Sequence, residues 1–183
     1  MDGFLFAGDY SVGATKTSNV TALKNTIQTA YPELTDNDLV LIQGNHDNSA
    51  SFGGTQAGLV GSVLNESGAN DAKDYGVFVI NEQDYNWKGK NETLVKNTAA
   101  NLKGYLDAKR NAGYTKPIFV VSHLPLNYNM RTKNDGDGMY ANYIFDVLNE
   151  AGAAGLNIFF LFGHDHSNGW DDYLGGSAIY LEK

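Results

Sequence analysis

The chain contains no cysteine, which excludes disulfides, thiolate metal sites and thiol nucleophiles. Proline is scarce, with three residues in 183, while the 21 glycines are spread along the chain rather than gathered in a low-complexity tract. Basic residues are few. Thirteen Lys and Arg against 21 Asp and Glu leave a formal net charge of −8. That balance lacks the electrostatic footprint of a binder of nucleic acid or anionic membranes. Small anionic molecules stay open as partners, because a bound metal ion can reverse the field locally. No apolar run approaches the ~20 residues of a membrane-crossing helix, and Met1-Asp2-Gly3 leads straight into strand-like sequence with no leader pattern. The absence of cysteine fits cytoplasmic and secreted chains alike. Histidine is also scarce, with four residues: His46, His123, His164 and His166.

The length suits one domain over residues 1–183. Short apolar runs recur along it: Phe4-Leu5-Phe6-Ala7, Leu39-Val40-Leu41-Ile42, Val77-Phe78-Val79-Ile80, Ile118-Phe119-Val120-Val121 and Ile158 to Phe162. Each has strand length, is rich in β-branched or aromatic residues, and is apolar at successive positions, the pattern of a strand buried on both faces. A further strand is expected at Ser177 to Leu181. Between the runs, Asn19 to Tyr31, Leu94 to Ala112 and Met139 to Ala151 carry apolar residues at three-to-four spacing and predict helices. The alternation predicts an α/β fold. Asn48 to Asp74 and Asn127 to Gly138 are polar and weakly periodic, and are expected as long loops, the first with one helical turn at most.

The chemistry-bearing residues follow the apolar runs. Gly8-Asp9 follows the first, Gly44-Asn45-His46-Asp47 the second, His123 the fourth and Gly163-His164-Asp165-His166 the fifth. In open α/β sheets ligands bind outside the carboxyl ends of strands. Imidazole, carboxylate and amide oxygen together suit Mn, Fe or Zn rather than an oxygen-only calcium site. Each cluster taken alone has an ordinary structural reading: a turn, a capping loop, a satisfied histidine. It is their joint placement, with every histidine of the chain included, that argues for one site.

In that order and at those strand ends, the clusters resemble the motifs of the calcineurin-like metallophosphoesterases, over nearly the whole chain. The resemblance implies an α/β/β/α sandwich of two mixed β-sheets flanked by helices. It also implies metal-dependent hydrolysis of a phosphate ester by a hydroxide activated at a binuclear centre, with two ions of Mn, Fe or Zn. By that resemblance Asp9 bridges the two metals, Asn45, His123 and His164 complete one shell, and His166 binds the other ion. His46 assists the leaving oxygen, and Asp47 orients it. A pair of metals activates water and neutralises phosphoryl charge, and an imidazole is a fitting proton donor to a leaving alkoxide.

Two departures qualify the resemblance. The family's first motif, Asp-x-His, ends a strand preceding Gly-Asp, and Asp2-Gly3-Phe4 is not it. The fold is therefore expected to be incomplete at its N-terminus, with one metal well held and the second held only by Asp9 and His166, and with activity impaired. Many members also carry a second histidine where this chain has Asn127. Asn127 and Arg131 are weaker candidates for holding the phosphate. Two alternatives share the pattern: a metal-binding module on the same fold without turnover, and a nuclease of the same fold.

Overall fold

The computed structural model describes residues 3–11, 15–47, 58–72, 74–85, 91–126, 140–164 and 178–181. Strand β1 (Phe4–Phe6) is followed by helix α1 (Thr17–Ala30), a 3₁₀ turn (Asp36–Asp38) and β2 (Leu39–Leu41). Then come β3 (Gly68–Ala69), β4 (Gly76–Ile80), the one-turn helix α2 (Glu82–Tyr85), and α3 (Glu92–Asn111). The chain continues with β5 (Ile118–Ser122), α4 (Ala141–Ala153), β6 (Ile158–Leu161) and β7 (Ala178–Leu181). Local sequence explains the longer helices. Asn91 caps α3, its side chain accepting from the Leu94 N–H at 3.1 Å. Glu92 stands in the first turn of α3, and Lys109 and Arg110 in its last, as the helix dipole favours.

The strands form two sheets. In one, β1 pairs with β2 in parallel. In the other, the order is β3-β4-β5-β6-β7, with β4, β5 and β6 parallel and the flanking pairs antiparallel. Strand side chains alternate between faces, and three apolar layers result. Leu39 and Leu41, with Phe4 and Phe6 against them, face α1 through Val20 and Ile27. Val40, Ile42, Val77, Val79 and Val121 form the layer between the sheets. Phe78, Ile80, Ile118, Val120, Ile158 and Phe160 face α3 and α4 through Leu102, Leu106, Ile144 and Leu148. The stacking is helix, sheet, sheet, helix, the expected α/β/β/α sandwich. Strands buried on both faces read as continuous apolar runs, as β2 and β4 do. Strand β1, expected to be buried on both faces, is only partly buried along its length, and β6 is buried at alternate positions.

The segment expected as a long loop carries more structure than its polarity suggested. Leu59 and Leu64 are 2% and 3% exposed and pack on the α1 side of the first sheet. Gly68–Ala69 then adds an antiparallel edge to β4. Two leucines five residues apart and a two-residue strand are too short to produce a period. The loop expected at Asn127 to Gly138 lies outside the described residues.

A buried polar seam joins the sheets. Asn81, fully buried, accepts from the Gln43 N–H at 2.7 Å and donates to the Asn65 carbonyl at 2.9 Å. The Glu82 N–H donates to the Gln43 carbonyl at 3.1 Å. The residue just before Gly44-Asn45 is thereby held to the end of β4.

Candidate metal centre

The parallel strands set the site. In register, Ile80 lies beside Ser122 and Val121 beside Leu161, so β4 and β5 end level and β6 ends one residue short of them. The Gly163 N–H extends that ladder to the His123 carbonyl at 3.1 Å. The first sheet ends alongside: the Ile42 N–H donates to the Phe6 carbonyl at 3.2 Å. Past these ends the chain turns sharply. Gly8 has φ 88°, and two non-glycine residues, Asp9 and His164, have φ 60° and 67°. L-residues adopt that left-handed region at a conformational cost, and such positions gather at functional sites.

Close approach of the two loops of the first sheet requires the absence of a side chain at position 44. A Cβ on Gly44 would stand 2.3 Å from Asp9 Oδ1 and 2.9 Å from His123 Nδ1. This glycine is present for contact rather than for φ.

Four ligand-type atoms converge. His123 Nε2 lies 2.7 Å from Asn45 Oδ1, 3.2 Å from Asp9 Oδ2 and 3.2 Å from His164 Nδ1. His164 Nδ1 is 3.1 Å from Asn45 Oδ1. The Asp9, His123 and His164 ligand atoms all lie within 4.8 Å of one another, a grouping able to hold a metal ion. His123 and Asn45 are 1% and 3% exposed, while Asp9 and His164 stand at the mouth, partly exposed.

Proton counting shows why a cation fits here. His123 Nδ1 is 2.6 Å from the Ala7 carbonyl oxygen, which can only accept, so Nδ1 carries the hydrogen. In the neutral ring Nε2 then presents a lone pair toward Asn45 Oδ1 and Asp9 Oδ2, both acceptors. Lone pairs from an imidazole, an amide and a carboxylate aimed at one point are satisfied by a cation and by few other things. The Ala7 carbonyl plays the outer-shell part, fixing tautomer and ring orientation.

Burial pushes the Asp9 carboxyl up, but the neighbouring His123 ring and the His46 N–H more than offset it, and the net value lies below the ordinary carboxylate range. Asp9 is thus an anion ready to ligate. Beside it, burial, aided by the Asp47 charge, holds the Tyr10 phenol far above its ordinary value. Its hydroxyl donates to the Ile42 carbonyl at 3.0 Å, a structural role.

The structure therefore brings together Asp9, Asn45, His123 and His164. His46 and Asp47 lie on the same loop as Asn45, and the His46 N–H donates to Asp9 Oδ1 at 2.9 Å. His166, Asn127 and Arg131 lie outside the described residues. Thr15 also belongs to this site. It is fully buried and its hydroxyl donates to Asp47. A threonine just before a helix carries no signal of such a role. Asn81 and Gln43 carry no motif either, although a polar residue directly after a fully buried strand is a signal that marks Asn81.

Over residues 2–168 the chain is similar to the family model for calcineurin-like phosphoesterases. Among curated proteins no match is found. No helix among the described residues is long and apolar enough to cross a membrane.

Proposed function

This chain belongs to the calcineurin-like phosphoesterase family, and we propose that it hydrolyses small phosphate esters with bound divalent metal. The observation that carries this reading is the convergence of Asp9, Asn45, His123 and His164 on one point from four strand ends. These four residues would hold one ion of Mn, Fe or Zn. Asp9 with His166 would hold a second. Such ions supply Lewis acidity toward phosphoryl oxygens and a strongly acidified water.

The chain's own residues supply the rest. Asp9 offers two carboxylate oxygens: Oδ2 faces His123 while Oδ1 accepts from the His46 N–H. That bond brings His46 to the edge of the ligand cluster, where its imidazole is assigned to protonate the leaving oxygen. Asn127 and Arg131 are assigned to the phosphate oxygens, as amide and guanidinium donors. The acidic chain, with its net charge of −8, favours small substrates over polymeric nucleic acid.

The test is Mn²⁺-dependent release of nitrophenol from 4-nitrophenyl phosphate, compared with bis(4-nitrophenyl) phosphate. Metal content is measured in parallel by elemental analysis. The expected result is turnover that chelation abolishes and His46→Ala lowers with metal content unchanged. Bound metal without turnover on either ester favours the non-catalytic module. Turnover confined to the diester, with cleavage of DNA, favours the nuclease.

A further inference from the structure

We propose that Asp47 is a positioning residue for the metal-ligating carboxylate of Asp9, acting by clamping the strained turn on which Asp9 sits. The inference rests on the metal-site reading above. Asp47 is fully buried. Its Oδ2 accepts from the N–H groups of Asp9 at 2.7 Å and Gly44 at 2.8 Å. Its Oδ1 accepts from the Tyr10 N–H at 3.1 Å and from the Thr15 hydroxyl. An ionised carboxylate has about four lone-pair directions, and these four donors occupy them. No acceptor capacity remains for the imidazole of His46, the partner that the family resemblance assigned to Asp47.

The four donors belong to the elements that must be held together. Asp9 is in the left-handed region at φ 60°, and the successive N–H groups of Asp9 and Tyr10 both reach Asp47. Consecutive amides turned toward one anion form a small anion-binding concavity. Here the anion is a side chain of the neighbouring loop. The Asp9 carboxylate in turn reaches back to that loop, accepting from the His46 N–H at 2.9 Å. Asp47 holds the backbone of Asp9, and the side chain of Asp9 holds the backbone beside Asp47. The reciprocal grip sets where Asp9 Oδ2 stands relative to His123 and is the source of the φ at Asp9 being tolerated. Gly44 contributes the third donor and, by lacking a Cβ, the space.

Substitution by asparagine removes two acceptor directions and places an NH₂ against N–H donors, so at least one backbone amide of the Asp9 turn loses its partner. Outer-shell partners of metal ligands are worth about 10–100-fold in metal affinity. The experiment measures Mn²⁺ affinity by titration calorimetry, with the Mn²⁺ EPR signal as a second readout. It compares wild type, Asp47→Asn, Thr15→Val, His46→Ala and the Asp47→Asn/His46→Ala double variant, at a temperature where each metal-free protein is folded by circular dichroism.

About tenfold or greater weakening is expected in Asp47→Asn, and about threefold in Thr15→Val, which keeps the backbone donors. The Asp47→Asn loss should persist undiminished in the His46→Ala background, because the clamp acts through Asp9. A loss that vanishes in that background assigns Asp47 to His46 and overturns the proposal. A wild type that binds Mn²⁺ while Asp47→Asn binds it equally well also overturns the proposal and leaves the metal site standing. A wild type that binds no Mn²⁺ overturns the metal-site reading and the proposal together. Should Asp47→Asn fail to fold, Thr15→Val decides alone, unchanged affinity overturning the proposal.

Discussion

His123 Nδ1 donates to the main-chain carbonyl of Ala7 at 2.6 Å, across 116 residues of sequence. The bond ties the end of β5 in one sheet to the end of β1 in the other. It also dictates that Nε2 faces Asn45 and Asp9 as a ligand. Replacing His123 by Ala removes the ligand and the tie together. Loss of metal should exceed the about 10–100-fold that follows loss of an outer-shell partner. Elemental analysis after loading with Mn²⁺ or Zn²⁺ checks it, and metal content indifferent to His123 would sink the site.

Gly44→Ala tests the close approach of the loops directly. The new methyl would meet Asp9 Oδ1 and the Asp9 N at 2.3 and 2.6 Å, and neither belongs to a freely moving side-chain end. Forcing the loops apart is expected to lower stability by about 1–3 kcal/mol and to weaken metal binding. Gly104→Ala is the control. It lies exposed in α3 with nothing within 4 Å of the added Cβ, so the same change there should raise stability by about 0.5–1 kcal/mol. Thermal unfolding of both metal-free variants gives the two signs, and a Gly44→Ala as stable as wild type would contradict the packing described.

Asn81 offers a test of the seam between the sheets. Its removal strands the buried N–H of Gln43 and the carbonyl of Asn65, each of which it satisfies. Leaving a buried backbone group unmet costs about 1–3 kcal/mol. Asn81→Ala should therefore unfold at lower denaturant by that amount, with the slope of the transition unchanged. A smaller effect would mean that water replaces the amide.

The sandwich was legible in the sequence because its central strands are buried on both faces. Val77 to Ile80 and Ile118 to Val121 are apolar at every position, and the structure divides each run between an inter-sheet layer and a helix-facing layer. The convergence of Asp9, Asn45, His123 and His164 was legible for a related reason: each follows a strand end, and parallel strands bring such ends to one edge. Leu59, Leu64 and β3 were not legible, since their order comes from packing on distant strands rather than from a local period. Nor were the partners of Asp47. Hydrogen bonds to the amides of residues 37 and 38 positions away leave no imprint on the neighbouring sequence.

Far from the metal centre, Asp71 gives a prediction in pH. Its carboxylate accepts from the Tyr105 hydroxyl, the Lys109 ammonium and, at 3.0 Å, the Val77 N–H. These groups pin the β3–β4 connection to α3, and the Lys109 ammonium also lies 4.3 Å from the centre of the Tyr114 ring. Burial pushes the Asp71 carboxyl up, yet the hydrogen bonds from Lys109, Tyr105 and Val77 outweigh it and leave it lowered. The folded state thus binds its proton less readily than the unfolded chain. The resulting stabilisation is present above the unfolded carboxylate value of about 3.9 and is lost as pH falls through the lower, folded one. Asp71→Asn should be less stable than wild type near pH 7 by about 1 kcal/mol, a modest figure because the pair is partly exposed. The difference should shrink below about pH 4. Metal-free protein is used so that the ligand cluster contributes equally to both curves. Midpoints of thermal unfolding from pH 7 down to about pH 2.5 decide the matter. A gap between wild type and Asp71→Asn that stays constant across that range would show that Asp71 holds α3 by shape and hydrogen bonding alone, without its charge.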